Sequence, residues 1–169
     1  MKDFNRNRNK TRFIDSRPQD DVESSDIAQR CKFNFSYFTD DQDVAQSFSD
    51  WNAEGGVCAL DEVLSKIKDY TREPLSYWKN ERVGAGGLRV FDVYGDFPKK
   101  SEFEHPKHVP HDVKWARFRL AAKVRLIGFV VPEEYNFQQS NKHSFCSNTF
   151  YVVFLDKDHE FYLVGNEAD

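Results

Sequence analysis

The order of hydrophobic periods along the chain predicts an α+β fold, with an N-terminal strand and a helical hairpin packed on a mainly antiparallel β-sheet. Three observations carry that expectation. Residues 32–38 alternate polar and aromatic side chains, the period of a strand with one buried face. Val44, Phe48 and Trp51, then Leu60, Val63, Leu64, Ile67 and Tyr70, repeat at the three- and four-residue spacing of a helix face. The last third of the chain holds apolar runs of strand length separated by polar turns.

The elements follow in order. Residues 1–30 are dominated by Asn, Asp, Arg, Ser and Gln, and too few apolar side chains are present to offset the entropy of ordering them. We read them as a flexible tail, and residues 31–169 as a single α+β domain. The basic first half of the tail (Lys2, Arg6, Arg8, Lys10, Arg12, Arg17) is either solvated or meets nucleic acid or an acidic partner. After the first strand, Thr39 and Gln42 have capping-box spacing and Asp40 and Asp41 suit a helix start. Gly55-Gly56 ends the first helix, and Pro74 ends the second. Residues 75–87 read as a connection and Leu88–Tyr94 as a short strand. Residues 95–113, with Gly95, Pro98, Pro106 and Pro110, read as a long loop. Strands are then expected over 114–120, 124–131, 149–155 and 160–164, with turns at Ala121-Ala122 and Asp156–His159. Thr149–Leu155 is almost continuously apolar, as a central strand buried on both faces requires.

Composition narrows the classes of function. The chain has 169 residues and a net charge of −4, which argues against a histone-like or coat protein for nucleic acid. Its mean hydropathy is −0.74, yet aromatic residues make up 15%, enough to build a packed core. No apolar run approaches a membrane span and no apolar signal core opens the chain. Cys31, Cys58 and Cys146 are dispersed and odd in number, so they read as buried thiols. Together these features predict a cytoplasmic protein that does not engage membranes.

Charge supplies the strongest local signal. Residues 105–125 hold Lys107, Lys114, Arg117, Arg119, Lys123 and Arg125 against a single acid, Asp112. Arg117 and Arg119 are two apart on an expected strand and share a face, while Phe118 and Leu120 share the other. The hairpin brings Arg125 beside them. Guanidinium groups gathered on an open sheet face suit phosphate, because the planar fork matches its oxygens. The alternative is a solvated face paired with acids from elsewhere. The arginines are expected to be exposed, with Phe118, Leu120, Ile127, Phe129, Val153 and Leu155 buried.

Other constellations are weaker. His105, His108 and His111 are evenly spaced, but Pro106 and Pro110 forbid the helix that would align them, and no metal is assigned. Gly84-x-Gly86-Gly87 lacks the Lys-Ser/Thr of a phosphate loop. Cys146 with His143 or His159 has the residue types of a nucleophile pair but nothing that marks an oxyanion site. Lys157, His159 and Tyr162 surround the last turn, where His can move a proton and Tyr can stack on a base. No cofactor is expected.

The element order resembles that of the RelE/ParE toxin superfamily of bacterial toxin–antitoxin systems. So does the C-terminal pattern: Ala116-Arg117-Phe118-Arg119-Leu120, then Lys123-Val124-Arg125-Leu126-Ile127, then Asp156 to Tyr162. The resemblance spans residues 32–164, and its specific part is the last third. It implies a RelE-like fold and an mRNA interferase, a metal-independent endoribonuclease that cleaves RNA by attack of the ribose 2′-hydroxyl, often on the ribosome. Arg117, Arg119 and Arg125 would hold the phosphate, His159 would transfer the proton and Tyr162 would orient the nucleotide. Lys107, His108, Lys114, Lys123 and Lys157 would extend the RNA-binding surface. A cognate antitoxin is the implied protein partner. The chain departs from a minimal toxin in its tail, its 75–113 insertions and its acidic balance. Two alternatives stay open: a ParE-like protein that targets DNA gyrase, and a non-catalytic module that binds nucleic acid or protein through the basic face or the 95–113 loop.

Overall fold

Strand β9, Thr149–Asp156, organises the molecule, because its apolar run is buried on both sides. A computed structural model describes residues 21–52, 60–84, 87–121 and 123–163. On one side β9 pairs in parallel with β1, Lys32–Asn34, and on the other in antiparallel with β6, Arg125–Val130. Strands β5 (Lys114–Arg119) and β4 (Phe91–Gly95) continue the antiparallel part, giving the order β1-β9-β6-β5-β4. Two short hairpins lie outside this sheet: β2 (Arg82–Val83) with β3 (Leu88–Arg89), and β7 (Gln139–Ser140) with β8 (His143–Ser144). The fold is α+β, with a five-stranded mixed sheet.

Both faces of the sheet are covered, by different means. Ala116, Phe118, Leu126, Phe150, Val152 and Leu155 bury one face against helices α1 (Phe48–Asn52), α2 (Leu60–Tyr70) and α3 (Leu75–Asn80). Trp51, Val63, Tyr70 and Leu75 are the buried contributions of those helices. Trp115, Ile127, Phe129 and Phe154 bury the other face against Phe103, Val109, Val113 and Phe161. The 96–113 segment, expected to be a loop, is therefore a non-helical second layer. Backbone bonds from Glu102 N–H to Glu160 O (3.1 Å) and from Leu163 N–H to Lys100 O (3.2 Å) tie it to the C-terminal segment.

Several elements differ from expectation. The first strand stops at Asn34, whose Oδ1 accepts the Ser36 N–H at 2.8 Å and turns the chain. The first helix does not start at Thr39, whose N–H bonds to Val153 O and whose hydroxyl donates to Asp41. It starts at Phe48, where Ser47 and Asp50 form a reciprocal capping box: Ser47 N–H to Asp50 Oδ2 is 2.8 Å and Asp50 N–H to Ser47 Oγ is 3.1 Å. The expected Gly55-Gly56 stop, Cys58 and Ala122 lie outside the described residues. Part of the expected 75–87 connection is α3. Residues 160–163 form no strand, because both oxygens of the Asp156 carboxylate accept backbone N–H groups, from Glu160 (3.0 Å) and Phe161 (3.1 Å), and fold the chain back. Residues 21–30 form turns, and Gln29 O accepts the Asn148 side-chain N–H at 2.8 Å. Residues 1–20 of the expected tail lie outside the described residues. Cys31 is buried and donates to Tyr70 O, and burial pushes its thiol up to about 11, while Cys146 is only half-buried.

Gly128 sits at a register shift between β6 and β9. A Cβ there would overlap the Tyr151 carbonyl oxygen and lie 2.9 Å from Phe150 Cζ. The nearest obstacle is central-strand backbone, which cannot rotate away. Gly128→Ala should therefore cost about 3 kcal/mol or more, and thermal denaturation should show a fall of roughly 6–12 °C.

Candidate functional site

Strand register builds a cationic end on the loop-covered face of the sheet. Arg119 of β5 lies directly opposite Arg125 of β6, and Arg125 lies opposite Asp156 of β9. One rung away on the same face, Arg117 is flanked by Asp92 of β4 and Ile127 of β6. Like charges placed directly across a sheet repel, and the Asp156 carboxylate opposite Arg125 offsets part of that cost.

Two acids, Asp156 and Asp92, stand among the arginines, and each has a second task. Asp156 is 1% exposed and spends both oxygens on the Glu160 and Phe161 N–H groups. Asp92 meets Arg89 Nη1 at 3.0 Å and Arg117 Nη2 at 3.5 Å. The Arg117 guanidinium also lies over the Tyr94 ring, 5.6 Å from its centroid. Its Nε and Nη1 are buried and meet no hydrogen-bond acceptor among the described residues. Arg125 Nη1 donates to Ala121 O (3.0 Å) and Val124 O (2.9 Å), bracing the β5–β6 turn.

Electrostatics reflect this crowding. Burial, then the charges of Arg119 and Arg117, push Arg125 down to about 10, so it stays charged at neutral pH. Burial and Arg117 lower Arg119 in the same sense. His159 stands in the left-handed region at φ 67°, half-buried. Burial, with Arg125, Arg117 and Arg119, holds its imidazole below the usual histidine range, against the opposing pull of Asp156. Tyr94 is pushed up to about 12 by burial and remains a neutral phenol. Tyr162, 42% exposed, stacks on Tyr94 with ring centroids 4.8 Å apart and planes at 6°.

The structure thus brings Arg117, Arg119, Arg125 and His159 into one electrostatic neighbourhood, and Tyr162 adjoins it through Tyr94. Lys123, exposed on the β5–β6 turn, and Lys157, next to Asp156, lie at the same end. The other basic residues do not join them. Lys114 projects from the opposite, helix-covered face, 3.9 Å from Asp96. Lys107 and His108 lie on the 96–113 segment. His108 stacks on Tyr37, which packs on Phe129, four residues along β6 from Arg125 and so roughly 13 Å away. The expectation of three exposed arginines is corrected: Arg125 is only 3% exposed and the Arg117 side chain only 13%. Arg117 is packed beside Asp92 and Tyr94 of β4, and Arg125 is drawn onto the carbonyls of the β5–β6 turn.

Asp92 and Tyr94 belong to the site and were not singled out by sequence. Their alternation with Phe91 and Val93 is the available signal, but only the pairing of β4 with β5 sets Asp92 opposite Arg117. The three loop histidines do not converge. The rings of His105 and His111 stack at 4.8 Å while His108 turns to Tyr37. Among the described residues no three His, Cys, Asp or Glu side chains gather as a metal site. Cys146 and His159 flank opposite ends of the eight-residue β9 and cannot form a nucleophile pair.

No family model matches the chain, and the searches of curated proteins and of solved structures likewise return no match. Among the described residues no helix is long and apolar enough to cross a membrane.

Proposed function

We propose that the arginine end of the sheet binds an RNA phosphodiester and promotes its cleavage by the substrate's own 2′-hydroxyl. The observation that carries the reading is the pairing of Arg119 directly opposite Arg125, with Arg117 one rung away and His159 held towards its neutral form by burial and by all three. A neutral imidazole accepts the 2′-hydroxyl proton as the oxygen attacks phosphorus. Arg117 and Arg119 face the charge that grows on the pentacoordinate phosphorus, where preorganised cations act most strongly. The 5′-oxygen leaves and takes a proton from solvent, giving a 2′,3′-cyclic phosphate. Arg125 adds charge from beneath while bracing the turn. The Tyr94–Tyr162 stack offers a platform for a base. This is the chemistry of the RelE-like branch that the sequence resembles, and the reading carries that branch's further expectations: ribosome-bound mRNA as the substrate and an antitoxin as the partner.

The test is cleavage of a defined RNA, with and without ribosomes, followed by end-group analysis. A cyclic phosphate product is expected, unaffected by EDTA. Arg119→Ala should lower the rate by about 10²–10³-fold, the usual loss for one group that stabilises transition-state charge. Lys66→Ala, on the exposed side of α2, is the unaffected control. Salt-sensitive RNA binding with no cleavage would move the assignment to a non-catalytic binding module.

A further inference from the structure

At the other end of the same sheet face, Tyr37, Phe129, Tyr135, Phe145 and Tyr151 line a cavity of about 230 Å³ together with Asp112. The remaining described lining is proline and valine, so among the described residues Asp112 brings the only full charge. The cavity is smaller than the ~300–1,000 Å³ of most ligand pockets, the size of a head group rather than a drug-sized molecule.

The rings enclose it from several directions. Tyr37 stands at 79° to Phe129, with centroids 5.0 Å apart, and at 87° to Tyr151, at 5.7 Å. Tyr135 stands at 67° to Phe145, at 5.9 Å. The one parallel pair, Phe129 and Tyr151, is closed on itself at 4.9 Å, so no flat base slides between them. The Tyr135 hydroxyl donates to Asp112 Oδ2 at 3.2 Å and holds the carboxylate at the wall.

Crossed aromatic walls with one carboxylate favour a compact, poorly hydrated cation, attracted by the ring quadrupoles and by Asp112. The same carboxylate disfavours phosphate. We infer that this cavity is a binding site for a methylated ammonium group, at Tyr37, Phe129, Tyr135, Phe145, Tyr151 and Asp112. The group would be carried either by a free solute or by a trimethylated lysine side chain. The inference does not depend on RNA cleavage at the arginine end.

Titration calorimetry of the full chain with choline tests it, alongside 3,3-dimethylbutan-1-ol, the uncharged analogue of the same shape. Choline should bind saturably at millimolar concentration or tighter, and the neutral analogue about tenfold more weakly. Asp112→Asn and Phe145→Ala, both at exposed positions that should tolerate change, should each weaken choline about tenfold. A short trimethyllysine peptide that outbinds choline would assign the ligand to a protein tail, and equal affinity would assign a free solute. Absence of saturable choline binding, or equal binding of the neutral analogue, overturns the inference.

Discussion

His159→Ala is expected to slow RNA cleavage by about 10²–10⁴-fold, the range for loss of a positioned proton-transfer group. The stronger test is the pH profile. In the free protein, burial and three guanidiniums depress the His159 pKa below its ordinary 6.5. The imidazole is therefore neutral, and competent as a base, throughout the neutral range. The acidic limb of kcat/KM should have its midpoint below pH 6.5, and it should vanish in His159→Ala. The sign also applies to stability. Because the folded state resists protonation, the unfolded state binds more protons as pH falls below 6.5, and stability declines towards the folded-state pKa. The variant should lose that part of the acid sensitivity. A wild-type limb above pH 6.5, or one that persists unchanged in the variant, would sink the role assigned to His159.

How far the sequence announces this arrangement depends on how local each determinant is. Helix α2 and strand β9 are legible because their apolar patterns run long enough to allow one period each. The β5–β6 hairpin is legible for the same reason, and its short turn sets Arg119 opposite Arg125. The start of α1 is not, since Thr39 with Gln42 and Ser47 with Asp50 both have capping spacing. Only the burial of Thr39 against Val153 decides between them. Tyr94 and Asp92 escape notice because alternation puts them on one face of β4 but does not say which strand, or which register, lies beside it; the Asp92–Arg117 pairing does. Residues 160–163 carry apolar side chains in a plausible strand rhythm. What prevents a strand is one carboxylate, Asp156, accepting two backbone N–H groups four and five residues on. That side-chain choice is invisible to periodicity.

A large stability loss is therefore expected from Asp156→Ala. The carboxylate is buried, caps Glu160 and Phe161, and its charge stabilises the protonated form of buried Arg125. Removing it leaves two backbone donors without acceptors and cationic Arg125 with less compensating charge. Loss of one partner from such a buried charged arrangement costs about 3–5 kcal/mol. Phe161, fully buried against Trp115, Phe97 and Phe103, is the apolar half of the same device. Phe161→Ala alone should cost about 3–5 kcal/mol. If Asp156 acts by docking Phe161, the two losses should not add: the double variant should be well short of their sum in urea denaturation. Hydrogen exchange should show residues 157–163 opening first in Asp156→Ala, before the central strands. A loss below about 1 kcal/mol in Asp156→Ala, or full additivity with Phe161→Ala, would show that the carboxylate does not hold this segment in place.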